Sequence, residues 1–150
     1  MSVTIRPVSP RDPNAEALLL ASHALMESLF PPEDNYFLDI DALCTPAITL
    51  FGAEENGVLL GCAAIARKDG YAEVKSMFVS PEARGLGLAR RLLDQLEAVA
   101  REEGIPLLRL ETGDKLPAAL ALYESAGFAP CGAFGGYVEN NSSLFYEKPL

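Results

Sequence analysis

The chain is poor in cations and in metal ligands. Its 150 residues hold 12 Lys and Arg against 21 Asp and Glu, a formal net charge of -9 and a pI of about 4.5. A phosphate backbone needs a cationic face, so nucleic acid is excluded as the main partner. The acidity suits either a cationic substrate or plain solubility. There is one histidine, His23, and there are three well-spaced cysteines, Cys44, Cys62 and Cys131. No CxxC pair or Cys/His cluster occurs, so no metal site is expected. The odd cysteine count points to reduced thiols and a cytoplasmic protein. Neither Cys62 nor Cys131 has a basic sequence neighbour to activate it, which disfavours an acyl-cysteine route. No apolar run approaches the roughly 20 residues of a membrane span, and no cationic segment leads into an apolar one at the start, so neither membrane nor secretory leader is expected.

What is present is enough apolar side chain for a core, at 49% of residues. Residues 1–150 are expected to form one domain. Val3–Val8 reads as a strand, and Asn14–Phe30 carries apolar residues at helical spacing up to Pro31-Pro32. A short helix is expected near Ile40–Leu43. Strands follow at Ala47–Ala53, Val58–Arg67 and Tyr71–Val79, separated by the turn pairs Asn56-Gly57 and Asp69-Gly70, which implies an antiparallel meander. Gly85–Glu103 reads as an amphipathic helix stopped by Gly104. Then come a strand at Leu107–Thr112, a helix at Pro117–Ala126, and closing strands at Phe128–Cys131 and Ser143–Glu147 around a glycine-rich loop. Strand, helix and strand over 71–112 require a parallel crossover. The fold class is therefore α/β of the α+β type, a mixed sheet with helices on both faces.

The segment from Met77 to Arg91 carries the sharpest chemical signal. A strand runs into Arg84-Gly85-Leu86-Gly87-Leu88-Ala89 and then into a helix. A helix start leaves backbone N–H groups unpaired at the positive end of the dipole, and Gly85 and Gly87 let a ligand approach the backbone. That makes an anion site suited to a pyrophosphate. Arg84, Arg90 and Arg91 add positive charge locally. No Gly-Lys-Ser/Thr tripeptide occurs, which excludes a P-loop, and Arg90 stands where a dinucleotide fingerprint needs Gly or Ala.

Arg84 to Ala89 resembles the Q/R-x-x-G-x-G/A signature of the GNAT acetyltransferase superfamily. Ala118 to Phe128 resembles its second signature, A-x-x-L-Y-x-x-x-G-F, and the element order fits that fold, with its mixed, mostly antiparallel central sheet. Leu110-Glu111-Thr112-Gly113 is similar to a strand end found in a bacterial subgroup.

The resemblance implies acetyl-CoA as co-substrate, without metal, and direct transfer of the acetyl group through a tetrahedral intermediate to a primary amine, on a small molecule or a peptide. A homodimer is plausible for such folds. By the same resemblance, the backbone of Met77, Phe78 and Val79 pairs with the pantetheine arm. The amides of Gly85, Gly87, Leu88 and Ala89 take the pyrophosphate with Arg84, and Arg90 reaches the ribose phosphate. Tyr123 protonates the departing thiolate, or else is a core aromatic. Glu73 is the general base, or else a structural carboxylate paired with Lys75 on the same strand face. Glu111 binds the substrate cation, acts as base, or bonds within its loop. Leu116 replaces a polar residue common among relatives. The rival from another class is an acyl-CoA-binding sensor or interaction domain without turnover.

Overall fold

The computed structural model describes residues 2–150. In chain order the elements are β1 (Thr4–Pro7), α1 (Pro13–Leu29), α2 (Ile40–Leu43), β2 (Ile48–Glu55), β3 (Val58–Arg67), β4 (Ala72–Val79), α3 (Leu88–Glu102), β5 (Leu107–Gly113), α4 (Pro117–Ser125), β6 (Ala129–Cys131) and β7 (Ser143–Pro149). The strands form one sheet in the order β1-β2-β3-β4-β5-β7-β6. Only β4 and β5 run parallel; every other neighbour is antiparallel.

Local chemistry sets the boundaries. The Asp12 side chain accepts from the N–H groups of Asn14 and Ala15, capping α1, and Pro13 occupies its first turn. The Asn56-Gly57 pair turns the β2–β3 hairpin with both residues at positive φ, 51° and 80°. The long helix begins later than its sequence suggests. Gly85 and Gly87 are left-handed, at φ 82° and 75°, so α3 starts at Leu88 with Gly87 as its cap.

Alternation along β3 divides the core. Ala63 and Ile65 pack on one face with Leu92, Leu93 and Leu96 of α3 and with Tyr123 of α4. Cys62 and Ala64 pack on the other with Leu18 and Leu19 of α1 and with Leu43 of α2. The period of two thus lays helices on both sides of the sheet, each burying its apolar stripe. No described helix is long and apolar enough to cross a membrane.

Two irregularities open the middle of the sheet. The β4–β5 ladder covers only Ala72–Val74 against Leu108–Leu110, and the strands then part. β4 also carries a bulge. Its pairing passes from Ala64↔Lys75 to Cys62↔Phe78, with Ser76 at φ 55°. A bulge bends its strand and breaks the local ladder. Beyond the bulge β4 follows β3 rather than β5, while β7 pairs with β5 along its whole length. Polar backbone of β4 is therefore left without a strand partner on its β5 side.

Candidate active site

A cavity fills the gap between the parting strands. Lys75, Ser76 and Met77 of β4 face Glu111, Thr112 and Gly113 of β5 across it. α4 contributes Ala119 and Tyr123, with Leu116 at its N-cap, and the end of α1 contributes Met26 and Phe30. The segment after α1 adds Asp34, Asn35, Tyr36 and Phe37.

Tyr123 is buried at 5% exposure. The sequence around it explains its position. The N–H groups of Ala126 and Phe128 both donate to the Tyr123 carbonyl, and Gly127 turns the chain at φ 96°. The Phe128 ring then meets the Tyr123 ring edge-on, 5.9 Å between centroids. Burial raises the phenol above its ordinary value, and the nearby Glu111 carboxylate pushes the same way. Tyr123 is therefore a protonated hydrogen-bond donor throughout the physiological range.

Glu111 shares that cavity. Burial raises its carboxyl above the ordinary range, against the opposing hydrogen bond from Ser143 and the positive charge of Lys75. A carboxylate so placed is a better proton acceptor than one in water.

Glu73 lies elsewhere. It is buried at 4% exposure and does not line the cavity that holds Tyr123. Its carboxylate accepts from the Tyr137 phenol, and Lys75 Nζ stands 3.4 Å from the same oxygen. Lys75 Nζ also donates to the Tyr137 hydroxyl at 2.7 Å and to the Tyr36 carbonyl at 3.0 Å. Burial raises the Tyr137 phenol, with Glu73 adding to the shift. Glu73 instead lines a second cavity with Tyr71, Lys68 and Tyr137; Tyr36 and Lys75 border both cavities. The pairing of Glu73 with Lys75 was readable from their spacing. Tyr137 was not, because it lies 64 positions away in a loop.

The glycine turn lies between β4 and α3. Gly87 brings no side-chain cap, and the first α3 N–H to bond back is that of Arg91, to the Gly87 carbonyl at 3.2 Å. The amides of Leu88, Ala89 and Arg90 precede it and have no partner within the helix. A β-carbon built on Gly85 or Gly87 meets nothing within 4 Å, so the turn is unobstructed at both glycines. The donor set fits a pyrophosphate. Of the arginines, Arg84 Nε reaches the Val79 carbonyl at 3.4 Å, Arg90 pairs with Asp94 at 3.1 Å, and Arg91 donates to the Val3 carbonyl. Arg90 would have to leave Asp94 to meet a phosphate.

Leu116 adds an apolar wall to the first cavity and no cap hydrogen bond to α4. Lys115 points away from that role: its Nζ donates to the Leu29 carbonyl at 2.9 Å and sits 5.6 Å over the Phe30 ring. Among the cysteines, Cys62 is buried and its thiol is pushed up to about 12 by that burial, so it is inert as a nucleophile. His23 is buried, stacked on Phe37 at 4.3 Å, and outside both cavities. No group of three or more potential metal ligands occurs among the described residues.

A mixed sheet that parts beside an open helix start, with a buried phenol in the gap, is the arrangement expected of an acyl-CoA-dependent acyltransferase. The chain belongs to the acetyltransferase (GNAT) family, whose sequence pattern matches residues 18–128. It is 42% identical over 151 residues to an IAA acetyltransferase of Azospirillum brasilense, with 99% of each chain covered. A crystal structure assigned to an acyl-CoA N-acyltransferase of Klebsiella pneumoniae superposes with a TM-score of 0.83 at 35% identity, covering 99% of this chain and 97% of that one. The fold is shared with a GNAT acetyltransferase of Elizabethkingia anophelis solved with acetyl-CoA bound, at a TM-score of 0.75, 21% identity, and coverage of 99% and 98%. Acetyl-CoA is the acyl donor, and the acceptor bears an amine.

Proposed function

We propose that the protein moves the acetyl group of acetyl-CoA directly onto a primary amine, with Glu111 as the proton acceptor and Tyr123 as the donor to the leaving sulfur. The observation that carries this reading is the meeting of Tyr123 and Glu111 in the one cavity opened where β4 and β5 part. Acetyl-CoA supplies an activated thioester; the protein must place it, deprotonate the amine and steady the departing thiolate.

Each task has a group suited to it. The amides of Gly85, Gly87, Leu88 and Ala89 hold the pyrophosphate, with Arg84 beside them and Arg90 reaching the ribose phosphate once it leaves Asp94. The unladdered backbone of Met77, Phe78 and Val79 receives the amide-bearing arm as an added strand. Glu111, raised by burial, takes a proton from the bound ammonium. Tyr123 remains protonated because burial raises it, so it donates a hydrogen bond where negative charge grows on sulfur. Glu73 acts at a distance: it holds Lys75, which lines the cavity, through their ion pair and through Tyr137, and is a positioning residue. Burial of Cys62 supports direct transfer over an acyl-cysteine. Thiol release from acetyl-CoA over a panel of primary amines tests the reading. Amine-dependent release that falls with Tyr123→Phe supports it, and release that is independent of both amine and Tyr123 contradicts it.

A further inference from the structure

A proton acceptor at Glu111 faces two demands. Burial raises it, which suits it to take a proton, yet it must be ionised before it can do so. The charges around it do little to keep it ionised. Lys75 of β4 favours the carboxylate, but Lys75 is paired with Glu73 at 3.4 Å, and Glu73 opposes. Asp34 lines the same cavity as a further acid, and α1 turns only Ser22, Met26 and Phe30 towards it. Tyr123 of α4 and Tyr137 are both raised and stay neutral. A hydrogen bond that opposes the burial comes from β7, from the hydroxyl of Ser143.

The sheet and one asparagine place that hydroxyl. Ser143 opens β7 opposite Gly113, two residues along β5 from Glu111, so both side chains leave the same face of the sheet. Asn140 Oδ1 accepts from the N–H groups of Ser142 and Ser143, both at 2.7 Å. Its Nδ2 gives one hydrogen to Ser143 Oγ at 3.0 Å and the other to the Tyr36 hydroxyl at 3.4 Å. An Oγ that accepts from Asn140 keeps its own hydrogen to donate, and the Glu111 carboxylate takes it. The turn before β7 is held from outside as well. The Asp114 N–H donates to the Ser142 carbonyl at 2.9 Å, and Ser142 Oγ donates to Asp34 at 2.8 Å.

We infer that Ser143, oriented by Asn140, is a positioning residue for Glu111: its hydroxyl donates to the carboxylate and holds it ready for the amine. The inference rests on the role proposed above for Glu111. Asn140 acts one step further back, because its Nδ2 sets which way the Ser143 hydroxyl points. Neither residue touches the reacting atoms. Together they counter part of the burial of Glu111 without bringing a cation that would repel the incoming ammonium.

Two readouts test this. The Glu111 carboxyl is titrated by carbon NMR in glutamate-labelled protein without substrate, its signal identified with Glu111→Gln. Separately, kcat is followed against pH with the primary amine that gives the fastest thiol release. Ser143→Ala should move the Glu111 titration and the acid limb of kcat upward together, by about 0.5–1 pH unit, because a hydrogen bond to the ionised form is lost. Ser143→Thr keeps the hydroxyl and should bring both back to within about 0.2 pH unit of wild type. Asn140→Asp keeps the acceptor for the two N–H groups and removes the donor. It should raise the Glu111 titration, and by less when Ser143 is already alanine. A purely structural Ser143 would alter stability and leave the titration in place. A Glu111 titration unmoved by Ser143→Ala, or an Asn140→Asp effect equal in both backgrounds, overturns the inference. A titration that moves while kcat keeps its limb, or an absence of thiol release with every amine, sinks the proposed role of Glu111 instead and leaves the Ser143 contact standing.

Discussion

The ring of Phe30 lies against the bare α-carbon of Gly113: a β-carbon there would stand 2.0 Å from Phe30 Cζ. Gly113 ends β5 at the cavity, and Phe30 ends α1. Gly113→Ala should therefore displace Phe30 and cost about 1–3 kcal/mol by overpacking, measured as a loss of urea stability. Phe30→Ala carries its own core loss, but in the double variant the two losses should be less than additive, because the overpacking disappears with the ring. Additive losses in the double variant would show that the two residues are not coupled.

Gly87→Ala separates backbone strain from ligand binding. The position is left-handed at φ 75°, but a β-carbon there meets nothing. The expected stability cost is about 1 kcal/mol. KM for acetyl-CoA should rise by more than that strain explains, because the new methyl group stands in the cradle. Unchanged KM would remove the glycine turn from pyrophosphate binding.

Burial raises Glu111, and this has a stability consequence of definite sign. A carboxyl raised in the folded state favours its protonated form there. Ionising it on folding therefore costs stability above the folded value, and the cost vanishes below the unfolded value of about 4.3. Glu111→Gln should raise the Tm at pH 7, and the gain should fade as the pH drops through that window. A Tm lowered at pH 7 would mean that Glu111 is a structural carboxylate.

His23 works in the opposite direction. Burial lowers it below its ordinary value, so the folded protein binds fewer protons than the unfolded chain. The stability held by neutral His23 is full above about pH 6.5 and is lost as the pH falls through the lowered folded value. Comparing urea midpoints at pH 7.5 and 5.5 for wild type and His23→Gln checks this. The wild type should lose more than the variant.

Several of these features were legible in the sequence because their causes are local. The Asn56-Gly57 turn needs positive φ at both positions, and it has it. The glycines before α3 and the Pro117 and Gly127 that bound α4 likewise state their own conformation. The bulge at Ser76 was not legible, since no residue in Lys75-Ser76-Met77 demands a positive φ; the course of β4 along β3 imposes it. The placement of β7 between β5 and β6 was also hidden, because strand order depends on long-range pairing. Glu73 and Glu111 looked alike as strand carboxylates. Their difference comes from Tyr137 and Tyr36, loop residues distant in sequence that set one apart from the cavity of the other.

Tyr123→Phe should lower kcat roughly a hundredfold, with KM for acetyl-CoA within about twofold. Removing a buried hydroxyl should not destabilise the fold, so circular dichroism and Tm should match wild type. A variant that loses activity only by unfolding would place Tyr123 in the core alone.

The most direct measurement is kcat of Glu111→Gln with a primary amine at pH 7 and again near pH 9.5. A base that removes the amine's proton matters most where the amine is protonated, so kcat should fall roughly a hundredfold at pH 7, with the deficit shrinking at the higher pH. A rate within about twofold of wild type at pH 7, or a deficit equal at both values, would contradict the assignment of Glu111 as the proton acceptor.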